Sequence, residues 1–299
     1  MRPPPAPDRA SEDWPLLAAL AEREARLRAW ARQRGALASG ADEVLRFGIK
    51  QGRACLFGGL LLGLIVATRL WYPHDALLAR YDALVIACLL LQAALLLTGL
   101  ETIAEAKVIL VFHGVGTAME VFKTAMGSWD YPEASLFRIG HVPLFTGFMY
   151  AAVGSYLARA WRLFHFRFSC HPPLPALMVL SAAIYANFFA DHWGVDLRFF
   201  LLAMAALLFR RTTIYFRVWT AYRRMPLLLG FCLVTLFIWF GENIGTAGRA
   251  WLYPNQVSGW AMVSPAKLTS WFLLMLISYT LVATAISRDA STALDGRDA

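Results

Sequence analysis

What most constrains this chain is a set of apolar runs long enough to cross a lipid bilayer. Ala54–Thr68, Ala83–Leu100 and Leu268–Ile286 contain no charged residue at all. Inside hydrocarbon every backbone N–H and C=O must find its partner within the segment, so such runs fold as helices. The whole sequence agrees: 59% of its 299 residues are hydrophobic and 16% are charged, well outside the composition of soluble domains. The expected class is an all-α membrane protein with the lipid bilayer as its surroundings. Its net charge of +8 sits in the N-terminal tail and between the apolar runs. Membrane topology accounts for that placement, and a nucleic-acid partner is not expected.

The spans read as about 53–70, 82–100, 106–126, 143–163, 174–190, 198–221, 226–247 and 265–287, eight in all. A second feature organises them. Glu120 to Pro132 (EVFKTAMGSWDYP) and Glu242 to Pro254 (ENIGTAGRAWLYP) carry Glu, Thr, Ala, Trp, Tyr and Pro at the same places, 122 positions apart (242 − 120), and the register holds to Pro143 and Pro265. Adding the same offset to the first four spans lands on the second four. The chain therefore reads as two tandem four-helix repeats, residues 47–163 and 164–288. A Pro/Arg-rich tail with a charged surface helix from Ser11 to about Gly35 occupies 1–46, and a polar tail 289–299. The arginines between spans four and five and between six and seven, with those of the N-terminal tail, place both termini in the cytoplasm of a cell whose inner membrane holds the protein.

Polar residues inside such helices need a reason. His113, Thr117, Glu120 and Thr124 are spaced to share one face of the third span, and Thr235, Trp239, Glu242 and Thr246 one face of the seventh, with Asn243 beside them. Glu120 and Glu242 are the candidate acid/base residues, and His113, Thr124, Asn187, Asn243 and Thr246 the candidates to line a substrate site. A purely structural reading pairs Glu120 with Lys123 and Glu242 with Arg249 or backbone. The pairs Trp129/Tyr131 and Trp251/Tyr253, each followed by a helix-stopping Pro, read as anchors at the membrane interface. A further cluster, Asn187–Trp193, brings Asp191 and His192 to the end of the fifth span and joins the catalytic candidates. No metal is expected: the histidines fall on different sides and no H-x-x-H or H-E-x-x-H run occurs. Cys55, Cys88, Cys170 and Cys232 form no C-x-x-C pair, and cofactors and protein partners are left open.

GSWDYPE (127–133), VPLFTGFMY (142–150), NFFADH (187–192), RMPL (224–227) and GENIGTAGRAWLYPNQ (241–256) resemble the bacterial multi-span membrane family catalogued as domain of unknown function 817, which brings no activity with it. Two short pieces, E-x-x-K-T-A-M-G and G-E-N-I-G-T, are also similar to membrane carotenoid hydratases and lycopene cyclases. Where the cyclase pattern has Pro followed by two acidic residues, this chain has Pro143-Leu-Phe-Thr and Pro265-Ala-Lys-Leu.

Three functions follow as expectations. An intramembrane enzyme would use the two glutamates as acid and base on a hydrophobic lipid or isoprenoid. A transporter would use them to carry protons or bind a solute between parallel repeats. A scaffold or assembly protein would need them only to clamp helices.

Overall fold

A computed structural model of the chain describes residues 35–73, 75–190, 193–218 and 222–295. Within them lie helices α1 (Ala36–Ala54), α2 (Leu56–Trp71), α3 (Arg80–Leu97), α4 (Ile103–Ala125), α5 (Phe145–Phe164), α6 (Leu174–Ala190), α7 (Arg198–Phe209), α8 (Leu227–Ala247) and α9 (Lys267–Asp295). Five short strands accompany them: β1 (Arg138–Ile139), β2 (Val142–Pro143), β3 (Arg167–Ser169), β4 (Thr213–Arg217) and β5 (Tyr222–Pro226). The expected surface helix up to about Gly35 lies almost wholly outside the described residues.

Local chemistry explains the boundaries. Thr102 and Glu105 form a reciprocal capping box at the start of α4, which satisfies donors the helix would otherwise leave open. Pro73 follows α2, Pro226 precedes α8, and Pro265 stands just before α9, all places where proline's missing N–H is harmless. α3, α4, α8 and residues Lys267–Ile286 of α9 are long and apolar enough to cross a membrane. α1 and α2 meet at a 68° bend at Cys55 and add a fifth such element if the pair counts as one span. α6 and α7 are apolar but shorter, with 17 and 12 residues. Large apolar side chains such as Leu90, Leu110, Phe199 and Phe237 stay exposed on the helix bundle, the surface a bilayer covers. The chain is a membrane protein.

The structure corrects the sequence reading in three places. The sixth span, expected over 198–221, ends at Phe209, where Arg210 and Arg211 close the apolar run. The following TIYFR, rich in β-branched and aromatic residues, forms β4 and pairs antiparallel with β3 and β5 in the order β3-β4-β5. The fold is thus helical with small sheets rather than all-α. α9 also continues past Ser287 to Asp295.

α4 and α5 pack most intimately. A Cβ on Gly147 would stand 2.5 Å from His113 Nδ1 and 2.6 Å from Thr117 Oγ1, so only glycine lets these two helices approach so closely. Two polar clamps then fix the loop between them. Asp82, fully buried on α3, accepts from Ser135 Oγ at 2.7 Å, from Leu136 N at 2.9 Å and from Phe137 N at 2.8 Å. Arg80 donates to Glu133 Oε1 at 2.6 Å and to the Gly248 carbonyl at 2.7 Å.

Next to the three-stranded sheet, His171 Nδ1 donates to the Pro172 carbonyl at 2.7 Å, so Nε2 accepts from the Tyr279 hydroxyl at 2.6 Å. Burial lowers the His171 pKa from its usual 6.5. A histidine depressed in the folded state leaves stability intact above the unfolded value and removes it as pH falls below about 6.5. Thermal unfolding between pH 7.5 and 5.5 should show this loss, and His171→Gln, which keeps an acceptor that cannot be protonated, should reduce it. An equal loss in that variant would remove His171 as its source.

Candidate functional site

Glu120 lies near the C-terminal end of α4 and is 3% exposed. The helix stops at Met126, and Gly127 takes a left-handed conformation with φ of 71°. This reverses the chain and returns residues 129 and 131 to the helix they have just left. Trp129 Nε1 donates to Glu120 Oε2 at 2.7 Å, the Tyr131 hydroxyl donates to the same oxygen, and the Tyr150 hydroxyl of α5 donates to Oε1 at 2.8 Å. Three neutral donors from a loop and a second helix thus enclose one carboxylate.

Glu242 occupies the matching place near the end of α8 and is also 3% exposed. It accepts from the Tyr253 hydroxyl through Oε1 and from Trp271 Nε1 of α9 through Oε2 at 2.5 Å. The sequence difference between Lys123 and Gly245 now has a physical reason. A Cβ on Gly245 would lie 2.2 Å from the Trp251 ring, so the second site needs glycine to seat that indole. In the first site Lys123 instead sets its ammonium 4.4 Å from the Phe188 ring centroid.

The two sites adjoin each other. Asp130 and Leu252, 122 positions apart (252 − 130), exchange backbone hydrogen bonds of 3.0 and 2.9 Å as an antiparallel bridge. Trp129, a donor to Glu120, meets Tyr253, a donor to Glu242, edge-on with ring centroids 6.1 Å apart. Tyr150 and Trp271, the donors carried by helices α5 and α9, have ring centroids 6.4 Å apart. One element breaks the likeness. The Lys267 ammonium stands 4.5 Å from the Tyr253 ring centroid and 5.6 Å from that of Trp129, and its charge reaches Glu242. The residue 122 positions earlier is Phe145, whose ring packs edge-on against Tyr131 at 6.4 Å.

Burial and the adjoining carboxylates hold the hydroxyls of Tyr131 and Tyr253 well above the usual phenol range. Both remain donors at any physiological pH. Trp129, Tyr131, Trp251 and Tyr253 are all buried, and Trp129, Tyr131 and Tyr253 turn their polar ends to a glutamate. The carboxylate of Glu120 takes its bonds from aromatic groups rather than from Lys123, and Glu242 likewise rather than from Arg249.

The other candidates divide. His113 packs on Phe148 at 4.5 Å between ring centroids, and its Nδ1, like Thr124 Oγ1, is buried without a hydrogen-bond partner among the described residues. Asn243 donates to the Trp239 carbonyl and accepts from Val263 N at 2.9 Å, while Thr246 accepts from Trp260 Nε1 at 3.2 Å. These two hold the loop before α9. Asn187 Oδ1 accepts from Leu197 N at 2.9 Å and closes the connection from α6 to α7. Asp191 and His192 lie outside the described residues. Their neighbour in the chain, Phe189, packs on Phe122, two residues beyond Glu120 on α4, with centroids 4.6 Å apart. Among the described residues no three His, Cys, Asp or Glu side chains gather as a metal site would need.

Sequence reasoning missed Tyr150, Trp271 and Lys267. The repeat register matches Tyr150 with Phe272 rather than Trp271 (150 + 122), so the offset could not pair the two donors. A crevice lies beside them, walled by Gly116, Met119, Ile238 and Met275 with Tyr150 and Trp271 at its polar part. Its cavity of about 30 Å³ holds a water or two.

Against known proteins, a family model described as "Protein of unknown function (DUF817)" matches residues 43–279. The Bacillus subtilis (strain 168) protein described as "Uncharacterized protein YoaT" is 43% identical over 242 residues, covering 81% of this chain and 91% of the relative. No solved structure matches the chain. The likeness to carotenoid hydratases and cyclases gains nothing from these comparisons.

Proposed function

The chain belongs to the DUF817 family, and on that premise we propose that it is an intramembrane acid/base enzyme acting on a hydrophobic lipid or isoprenoid through Glu120 and Glu242. One observation carries the reading. The crevice between α4, α5, α8 and α9 is walled mostly by apolar residues, and two of its three polar residues, Tyr150 and Trp271, are donors that reach the two glutamates. An apolar chain entering there would meet the two side chains that are hydrogen-bonded to the candidate acid and base. Met119 and Met275 in the walls are the side chains best able to yield to it.

The difference between Lys267 and Phe145 supports one division of the roles. A full positive charge near Glu242 supports a carboxylate more strongly than the one extra neutral donor supports Glu120. Glu120 then supplies a proton to a carbon–carbon double bond. Glu242 takes one from the carbon beside the resulting cation, moving the double bond, or from a water that adds to it. Behind this stands the duplication: α4 shifted by 122 positions falls on residues 225–247 and α8 is Leu227–Ala247, while α5 shifted falls on 267–286 at the start of α9. The same reading keeps eight helices in the bilayer of the cell's inner membrane and both termini in the cytoplasm, supported by the arginines of β3–β5 and the N-terminal tail.

The test is complementation of a deletion strain. Glu120→Gln and Glu242→Gln should each fail to restore the membrane-lipid or pigment profile, while purified variants unfold near the native temperature. Full restoration by both ends this reading. Variants that alter stability alone return the glutamates to a clamping role. The adjacency of both carboxylates across the Asp130–Leu252 bridge is also what a proton-coupled transporter needs. Glutamate-dependent proton flux in proteoliposomes distinguishes that second reading.

A further inference from the structure

At the C-terminal end of α5, away from the glutamates, Arg53, Arg159 and Arg162 line a second pocket together with Leu56, Leu100 and Leu163. Arg159 is 2% exposed. Its Nη1 donates to the Arg53 carbonyl at 3.3 Å, and its Nη2 lies 3.3 Å from Glu101 Oε1. Yet Nε has no hydrogen-bond partner among the described residues, and Nη2 has that ion-pair contact alone. Buried guanidinium donors left open in this way are costly and call for an acceptor. Glu101 spends its oxygens on Gln92 Nε2 at 2.7 Å and Ser155 Oγ at 3.4 Å. Arg162, half exposed, is held by Glu105 through contacts of 2.9 and 3.3 Å.

The charges decide what the acceptor is. Three guanidiniums face two carboxylates, Glu101 and Glu105, which leaves one positive charge uncompensated. Lys50 adds to it nearby, donating to the Leu163 and Arg217 carbonyls at 2.9 Å. Those bonds set the pocket against the sheet that carries Arg167, Arg217, Arg223 and Arg224. The cavity of about 20 Å³ admits a group of roughly water size, such as one phosphate oxygen reaching Arg159 while its neighbours meet the exposed arginines. We propose that this pocket binds a phosphate group, supplied by the headgroup of an anionic phospholipid whose acyl chains lie along the leucine rim. The proposal is independent of the acid/base reading of the glutamates.

Binding of phosphatidylglycerol, phosphatidylcholine and inorganic phosphate to the purified full chain in detergent tests it, read by native mass spectrometry and thermal unfolding. Arg53→Gln/Arg162→Gln serves as the variant because both side chains reach solvent and their loss leaves the buried Arg159–Glu101 pair in place. Phosphatidylglycerol should bind the native chain about tenfold more tightly than phosphatidylcholine, a preference of the size two charge-assisted contacts provide, and the variant should lose it. Stabilisation by millimolar inorganic phosphate that is equally arginine-dependent would uphold the phosphate chemistry and make its source soluble. Equal binding of the two lipids with no phosphate effect overturns the proposal, as does a preference the variant retains.

Discussion

Arg159→Met should lower the stability of the folded chain by about 3–5 kcal/mol, the usual cost of removing one partner from a buried ion pair. The side chains of Arg159 and Glu101 are 2% and 0% exposed. Burial pushes the Glu101 carboxyl above its usual range, and Arg159 pulls it back. Without the guanidinium the carboxylate keeps only Gln92 and Ser155. The cost should therefore depend on pH. An acid raised in the folded state penalises folding above its folded pKa and ceases to do so below the unfolded value near 4.5. The deficit of the variant should be full at pH 7 and shrink toward pH 5. Arg159→Met/Glu101→Leu, which removes both charges, should recover most of the loss. Chemical unfolding in detergent measures all three. A double variant as unstable as the single one would show that packing around Arg159, rather than the stranded charge, sets the cost.

Asp82→Ala carries the second large effect, about 3–5 kcal/mol, because a buried carboxylate that accepts from three donors leaves all three unsatisfied when removed. Ser135, Leu136 and Phe137 belong to the loop that follows Pro132, and nothing else among the described residues ties their donors so closely to α3. Loosening that loop slackens the segment from which Trp129 and Tyr131 reach Glu120. Asp82→Ala should thus speed amide exchange across residues 129–143 and shift the fluorescence of Trp129. Asp82→Asn, which keeps an acceptor but adds a donor with no partner, should lose less. Unchanged exchange in that loop would confine the role of Asp82 to α3 itself.

These residues show what was legible in the sequence and what was not. Helix positions were readable because lipid demands apolar runs: 174–190 and 226–247 were expected, and α6 and α8 occupy Leu174–Ala190 and Leu227–Ala247. The sixth span was misjudged because apolarity alone cannot separate a helix from a strand once Arg210 and Arg211 intervene, and Thr213–Phe216 follows the strand preference. Glu120 and Glu242 were found because a carboxylate in a spanning helix needs a reason. Their aromatic partners were underestimated, since Trp and Tyr at a helix end look alike whether they face headgroups or turn inward. Tyr150, Trp271, Asp82 and Arg159 gave no local signal. Each acquires its meaning from a partner on another element, such as Glu120 for Tyr150 or Ser135 for Asp82.

The bridge between Asp130 and Leu252 has a mechanical consequence. Reciprocal main-chain bonds, with Trp129 and Tyr253 packed beside them, rivet the two W-x-Y-P loops together at one end of the bundle. The opposite end is tied as well, where Trp161 of α5 stacks on Tyr279 of α9 and Lys50 donates to the Arg217 carbonyl. A bundle pinned at both ends resists hinging, so the two carboxylates keep their mutual position.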